Sequence, residues 1–169
     1  MLRAEQESCL ESLINTLLSS CERKTFSSMA DWFKDFNRQT RRFERPIDRA
    51  ILGGRLSATV GFAFVPAYQS AIEALFQPQV VLLSSFCVTE EKGNHPRNIE
   101  TRLFREEGKL FISGSKKFVS GANDSQCLYV ACRDEREGSG FDGEGRPNIK
   151  MVSINANTQG LEIQAMPAL

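Results

Sequence analysis

A chain of 169 residues with 41% hydrophobic content is long enough to bury one core or two small ones, which excludes disorder throughout. Its 21 basic and 21 acidic residues cancel, so no overall field draws nucleic acid or an anionic membrane surface. There is no apolar run of about 18 residues to span a bilayer, and Met1 to Gln6 lack the basic-then-apolar pattern of a secretion signal, so a cytoplasmic protein is expected.

Leu10, Leu13, Ile14, Leu17 and Leu18 recur at the spacing of one buried helical face. Ser27 or Ser28 caps a second helix with Met29, Trp32, Phe33 and Phe36 on its apolar side, which would let the two pack as a hairpin. Arg38, Arg41, Arg42 and Arg45 crowd the end of that helix, where they match its dipole as a solvated face; phosphate is the other partner such a cluster suits. From Ile47 to Phe76 the chain is mostly apolar but interrupted by Gly53, Gly54, Gly61 and Pro66. That pattern predicts two largely buried helical pieces with a kink or break near Pro66.

After Pro78 the pattern turns to strands. Val80 to Val88 reads as a buried strand, and Thr101–Arg105 and Leu110–Ser113 flank a Glu106–Lys109 turn as a hairpin. Gln126–Arg133 follows a turn at Gly121–Ser125, and Asp134–Pro147 has the composition of a mobile loop. Two last strands are expected at Asn148–Ile154 and Leu161–Ala165. The fold class is therefore α+β: a helical region over residues 1–77, then an antiparallel β-barrel-like domain over 78–169.

The five cysteines are odd in number and contain no CxxC pair, and His95 is the sole histidine, so free thiols are expected and no metal site. Gly138, Gly140 and Gly143 satisfy GxGxxG, but they stand between charged loop residues. A dinucleotide fingerprint needs a strand before it and a helix after it, so this one is loop composition.

The informative block is Phe86-Cys87-Val88-Thr89-Glu90, then Gly93-Asn94-His95, Thr101, Gly114-Ser115-Lys116-Lys117-Phe118-Val119-Ser120-Gly121 and the strand Cys127 to Arg133. In order and spacing it resembles the middle β-domain of the acyl-CoA dehydrogenase family over roughly residues 80–166. That family has an apolar residue before a Thr-Glu-Pro turn with Gly-Ser-Asp, a Thr in the next strand, an Asn-Gly-x-Lys turn and a Trp/Phe-Ile-Thr strand.

The resemblance implies FAD as cofactor, an acyl-CoA thioester as substrate, and removal of a proton and a hydride from adjacent carbons. It implies that Phe86, Val88 and Thr89 from one strand and Phe118, Val119 and Ser120 from another line the flavin ring. Phe118 would lie on the ring face, Val119 would offer backbone only, and the hydroxyls of Thr89 and Ser120 would reach the edge. Gly93 and Asn94 fall where the family meets flavin phosphate and substrate. Here that turn is one residue shorter and lacks the proline and serine, with His95 replacing an aspartate.

The family's catalytic glutamate and much of its subunit interface belong to a C-terminal helical bundle, so no catalytic residue is assigned within residues 1–169. A homo-oligomer, or completion by such a bundle, is implied; the electron acceptor is not indicated. The rival reading is a non-catalytic module that keeps the fold and holds acyl-CoA, flavin or a protein partner.

Overall fold

Four helices precede five strands in the computed structural model, which describes residues 2–165. The chain divides into two compact units, Met1–Val81 and Leu82–Leu169. Among the described residues no helix is long and apolar enough to cross a membrane.

The helical unit contains α1 (Leu2–Leu18), α2 (Met29–Thr40), α3 (Pro46–Leu56) and α4 (Val60–Phe76). α2 begins where the Ser28 hydroxyl accepts the Asp31 amide at 3.1 Å, as the sequence predicts. Its apolar side buries Trp32, Phe33 and Phe36, with Trp32 stacked on Phe36 at 5.0 Å between ring centroids.

The α1 stripe fares differently. Leu13 is buried against Phe43 and Leu52 with Leu17 beside it, while Leu10, Ile14 and Leu18 stay exposed. α1 thus packs on α3 and on the α2–α3 connection instead of forming a hairpin with α2. Phe43 and Leu52 cover Leu13 and Leu17 and leave the other three exposed.

The break expected at Pro66 is also displaced: α4 runs unbroken through the proline, and the helices part at Ser57–Thr59. Proline removes the amide that would bond the Phe62 carbonyl. The Ser57 hydroxyl stands 2.9 Å from that carbonyl and also 2.9 Å from the Gly53 carbonyl, so its proton serves one of the two at a time. The proline ring lies against Gly53, where an added Cβ would come within 2.5 Å of the Pro66 Cβ. Glycine is what lets α3 and α4 approach this closely. Each helix buries one side, leaving Ile47, Ile51, Val60, Phe64 and Leu75 exposed, where the sequence predicted two largely buried pieces.

In the second unit β1 (Ser84–Cys87), β2 (Arg102–Glu106), β3 (Lys109–Ser113), β4 (Cys127–Asp134) and β5 (Ile149–Asn155) form one sheet. β4 is central, with Leu128 to Cys132 all buried, the near-continuous apolar run of a strand covered on both faces. β5 lies antiparallel along one edge of it. On the other edge β1 lies parallel to its beginning, and β2 lies parallel to its end through Arg102 and Leu103.

β2 turns into antiparallel β3 through Glu107 and Gly108, both at positive φ as a two-residue hairpin turn requires. Cys87, Leu103, Leu128, Val130 and Cys132 form the core, with Ile112, Val119, Val152 and Ile154 against it.

The α+β class and the helix-then-strand order hold. The antiparallel barrel does not: among the described residues the sheet is mixed and open. Parallel neighbours need long crossovers, which residues 88–101 and 114–126 supply. With β1 and β2 end to end on one edge of β4, the outer strands β3 and β5 never meet.

Two strand expectations shorten or vanish for lack of a partner. Val80 and Val81 are exposed ahead of β1, and Leu161–Ala165 is irregular, although Leu161 itself packs on the core.

Candidate functional site

β1 ends at Cys87, and Val88 and Thr89 continue it as irregular chain. Beyond β3, residues 114–121 return alongside. The Lys117 amide donates to the Thr89 carbonyl at 2.7 Å, and the Ser85 hydroxyl donates to the Ser120 carbonyl at 2.7 Å. Pairing of 89 with 117 and of 85 with 120 means that the second segment runs antiparallel to the first.

The structure therefore brings Phe86, Val88 and Thr89 beside Phe118, Val119 and Ser120. The second group is not the expected strand: it is irregular, and Phe118 sits at φ 56°. Too few backbone groups face β1 to build a ladder, so side chains fasten the segment instead.

The alternation expected of a strand survives in outline. Val119 is half-buried and packs on the core, while Phe118 is 66% exposed. Phe86, Val88 and Thr89 are all half-buried. Among the described residues neither the Thr89 nor the Ser120 hydroxyl is engaged by another group. An exposed aromatic ring and two unengaged hydroxyls on cross-linked segments are the groups that a flat, polarisable ring with hydrogen-bonding edges needs, so these residue types fit a flavin.

Gly93 and Asn94 belong to the turn that follows Glu90. Gly93 pairs with Glu90 by two backbone hydrogen bonds of 3.0 and 3.1 Å at φ 101°, a conformation that calls for glycine. Asn94 and His95 are exposed just beyond, and the His95 ring nitrogen Nδ1 accepts the Arg97 amide at 3.2 Å.

The groups that hold the site together were mostly not visible as such in the sequence. Ser85 and Ser125 are buried with their hydroxyls 2.6 Å apart, and between them they serve the Ser120 and Gly121 carbonyls. Ser85, with Ser84 inside an apolar run, was the available signal, because buried hydroxyls need partners.

Glu90, which the sequence reading left as a turn residue, points inward. Its carboxylate accepts Lys116 Nζ at 2.5 Å, the Thr101 amide at 3.0 Å and the Glu100 amide at 2.7 Å. Burial works to raise this carboxyl. The hydrogen bonds from Lys116 and from the Glu100 and Thr101 amides outweigh it and hold the group below the usual glutamate range. Lys116 Nζ also donates to the Val88 carbonyl at 3.3 Å.

Buried Cys87 and Cys132 are pushed up to about 11, chiefly by burial, so they are inert thiols. The GxGxxG glycines sit in an irregular loop with no helix after them, beside a cavity of about 420 Å3 lined by Asp134, Arg136, Phe141 and Lys150 among others.

A family model described as "Acyl-CoA dehydrogenase, middle domain" matches residues 85–169, half of the chain. The mitochondrial isobutyryl-CoA dehydrogenase of Bos taurus is 29% identical over 79 residues, covering 46% of this chain and 17% of that enzyme. A solved structure described as "Tcur3481-Tcur3483 steroid ACAD" covers 75% of this chain and 35% of its own, at 19% identity and a TM-score of 0.46.

Proposed function

The chain belongs to the acyl-CoA dehydrogenase family, and from that premise we propose that it carries the flavin-facing part of an FAD-dependent enzyme that desaturates an acyl-CoA thioester between its α and β carbons. The observation that supports this reading is the side-by-side placement of Phe86–Thr89 and Phe118–Ser120, with the Phe118 ring open and two hydroxyls unengaged. When bound, FAD supplies the hydride acceptor.

The chain's own residues bind and orient. Phe118 would offer its ring to a flat cofactor, and the Thr89 and Ser120 hydroxyls would serve as donors that favour a negatively charged, reduced group. Val119 anchors the segment in the core. Gly93 permits close backbone approach to substrate or phosphate, and Asn94 offers a donor.

Glu90 is not the base that takes the α proton. Its oxygens are occupied by Lys116 and two amides, and its pKa is held low, the reverse of what a general base needs. In this reading the base comes from a C-terminal helical bundle, and the electron acceptor is a separate partner.

Titration of the 169-residue chain with FAD, followed by flavin fluorescence, tests the proposal. Binding should be saturable, and Phe118→Ala should weaken it by about tenfold, the scale of a lost aromatic contact with a ligand. A wild-type chain that takes up no FAD would sink the reading. A chain that binds FAD but, joined to a helical bundle, passes no electrons from acyl-CoA to a dye would be the non-catalytic module.

A further inference from the structure

The flavin reading assigns no task to the Glu90–Lys116 pair, whose side chains are only 7% and 9% exposed. Burying two charges costs desolvation that their attraction only partly returns, so stability alone is a weak reason for such a pair. Its surroundings supply a better one.

Three chain ends meet here: the end of β1 at Cys87, the start of β2 at Arg102 and the end of β3 at Ser113. Beyond those points the backbone has left its ladder, and its amides need another acceptor. Glu90 provides one for Glu100 and Thr101 while holding Lys116, which in turn reaches the Val88 carbonyl.

Packing closes the same junction. An added Cβ at Gly114 would come within 2.4 Å of the Thr101 hydroxyl oxygen and 2.6 Å of its Cα, so the two chains touch with no room for a side chain. Each member of the pair also adjoins a residue of the cross-link above it. Glu90 follows Thr89, and Lys116 precedes Lys117, whose amide bonds the Thr89 carbonyl. The ion pair is thus the next rung below the site, adding to the Lys117–Thr89 and Ser85–Ser120 bonds a cross-link at the end where both segments leave the sheet.

We propose that Glu90 and Lys116 are positioning residues: their buried pair sets the spacing of Phe86–Thr89 against Phe118–Ser120, so that one flat cofactor meets both segments. This rests on the flavin reading. It goes beyond it in making affinity for the ring depend on two side chains that do not touch the ring.

The test uses the 169-residue chain with Glu90→Gln, Lys116→Met and, as a control, Leu103→Ala, which empties part of the buried core. FAD affinity, the unfolding midpoint and amide exchange without FAD are measured for each. Lys116→Met keeps both amide bonds to Glu90, so it serves if Glu90→Gln does not fold.

Both pair variants should bind FAD about tenfold or more weakly, the effect of one misplaced hydrogen bond to a ligand, while Leu103→Ala loses stability and keeps its affinity. Without FAD, exchange should quicken together at the Thr89 and Lys117–Ser120 amides. Pair variants with wild-type affinity would overturn the proposal and leave the flavin reading standing. Equal weakening in Leu103→Ala would reduce the pair to ordinary stabilisation.

If the wild-type chain binds no FAD, the flavin reading falls, and exchange alone decides the pair. Joint loosening of both segments upholds it as the spacer between them. Loosening confined to residues next to the substitution overturns it.

Discussion

Each unit contains a largely buried ion pair, and the two are built differently. In the helical unit Arg49 of α3 meets Glu73 of α4, at 14% and 12% exposure. The guanidinium also bonds Asn37 at 2.9 Å and lies 5.3 Å over the Phe36 ring. All its partners are side chains, because helices satisfy their own backbone. In the sheet unit the Glu90 carboxylate bonds two backbone amides besides Lys116, since that backbone is irregular and has no ladder. A pair between regular elements joins surfaces that are already formed, whereas a pair at a junction of irregular segments decides their course.

Breaking the second pair should therefore do more than breaking the first. Lys116→Met leaves a buried carboxylate without its counter-ion and should cost about 3–5 kcal/mol, measured by urea unfolding of the sheet unit. Arg49→Met leaves Glu73 partly exposed and should cost less; an equal loss would erase the distinction.

Next in size is Gly53→Ala, which drives a methyl group into Pro66 and Phe36 and should cost about 1–3 kcal/mol in the helical unit. A neutral result would mean that α3 and α4 can part without loss.

Acid should expose the sheet unit's dependence on Glu90. Its pKa in the folded chain lies below the ordinary value of about 4.3. The stability it contributes is therefore fully present above that ordinary value and fades as pH falls through the folded one. Asp134, lowered to about 2 chiefly by hydrogen bonding from Arg136, contributes loss with the same sign. Stability followed from pH 6 down to about pH 2 should fall once pH drops below the ordinary carboxylate values of about 4. Glu90→Gln should remove part of that slope and Asp134→Asn another part; an unchanged slope in Glu90→Gln would contradict its assignment.

The smallest effect is the most local. Ser28→Ala removes the cap on the Asp31 amide and should lower the stability of the helical unit by about 1 kcal/mol.

That gradation follows how far each feature reaches along the chain. The Ser28 cap and the Trp32, Phe33, Phe36 face are set by residues within one or two helical turns, so they were legible. The β2–β3 turn and the buried run of β4 were legible for the same reason. The Pro66 break was misplaced because the residue that repairs it, Ser57, stands nine positions earlier and meets it only through the α3–α4 contact. The open, mixed sheet was missed because parallel pairing leaves no mark in a two-residue alternation.

Phe118 and Ser120 were found through a resemblance of ordered motifs, and the structure sets them beside Phe86 and Thr89. Glu90 was passed over because its partners, Lys116 and the amides of Glu100 and Thr101, lie 10 to 26 positions away.

Residues 86–120 therefore divide by physical cause. The sequence by itself determined the α+β order and the turns, and it carried the ordered motifs behind the family resemblance, since residue type, period and motif order are local properties. Only the tertiary structure decided that the second segment is held as irregular chain, that β4 is shared by β1 and β2, and that a buried carboxylate supplies the acceptors the strand ends lack. Those outcomes depend on which unsatisfied backbone groups meet in space, and a single chain's spacing does not encode such meetings.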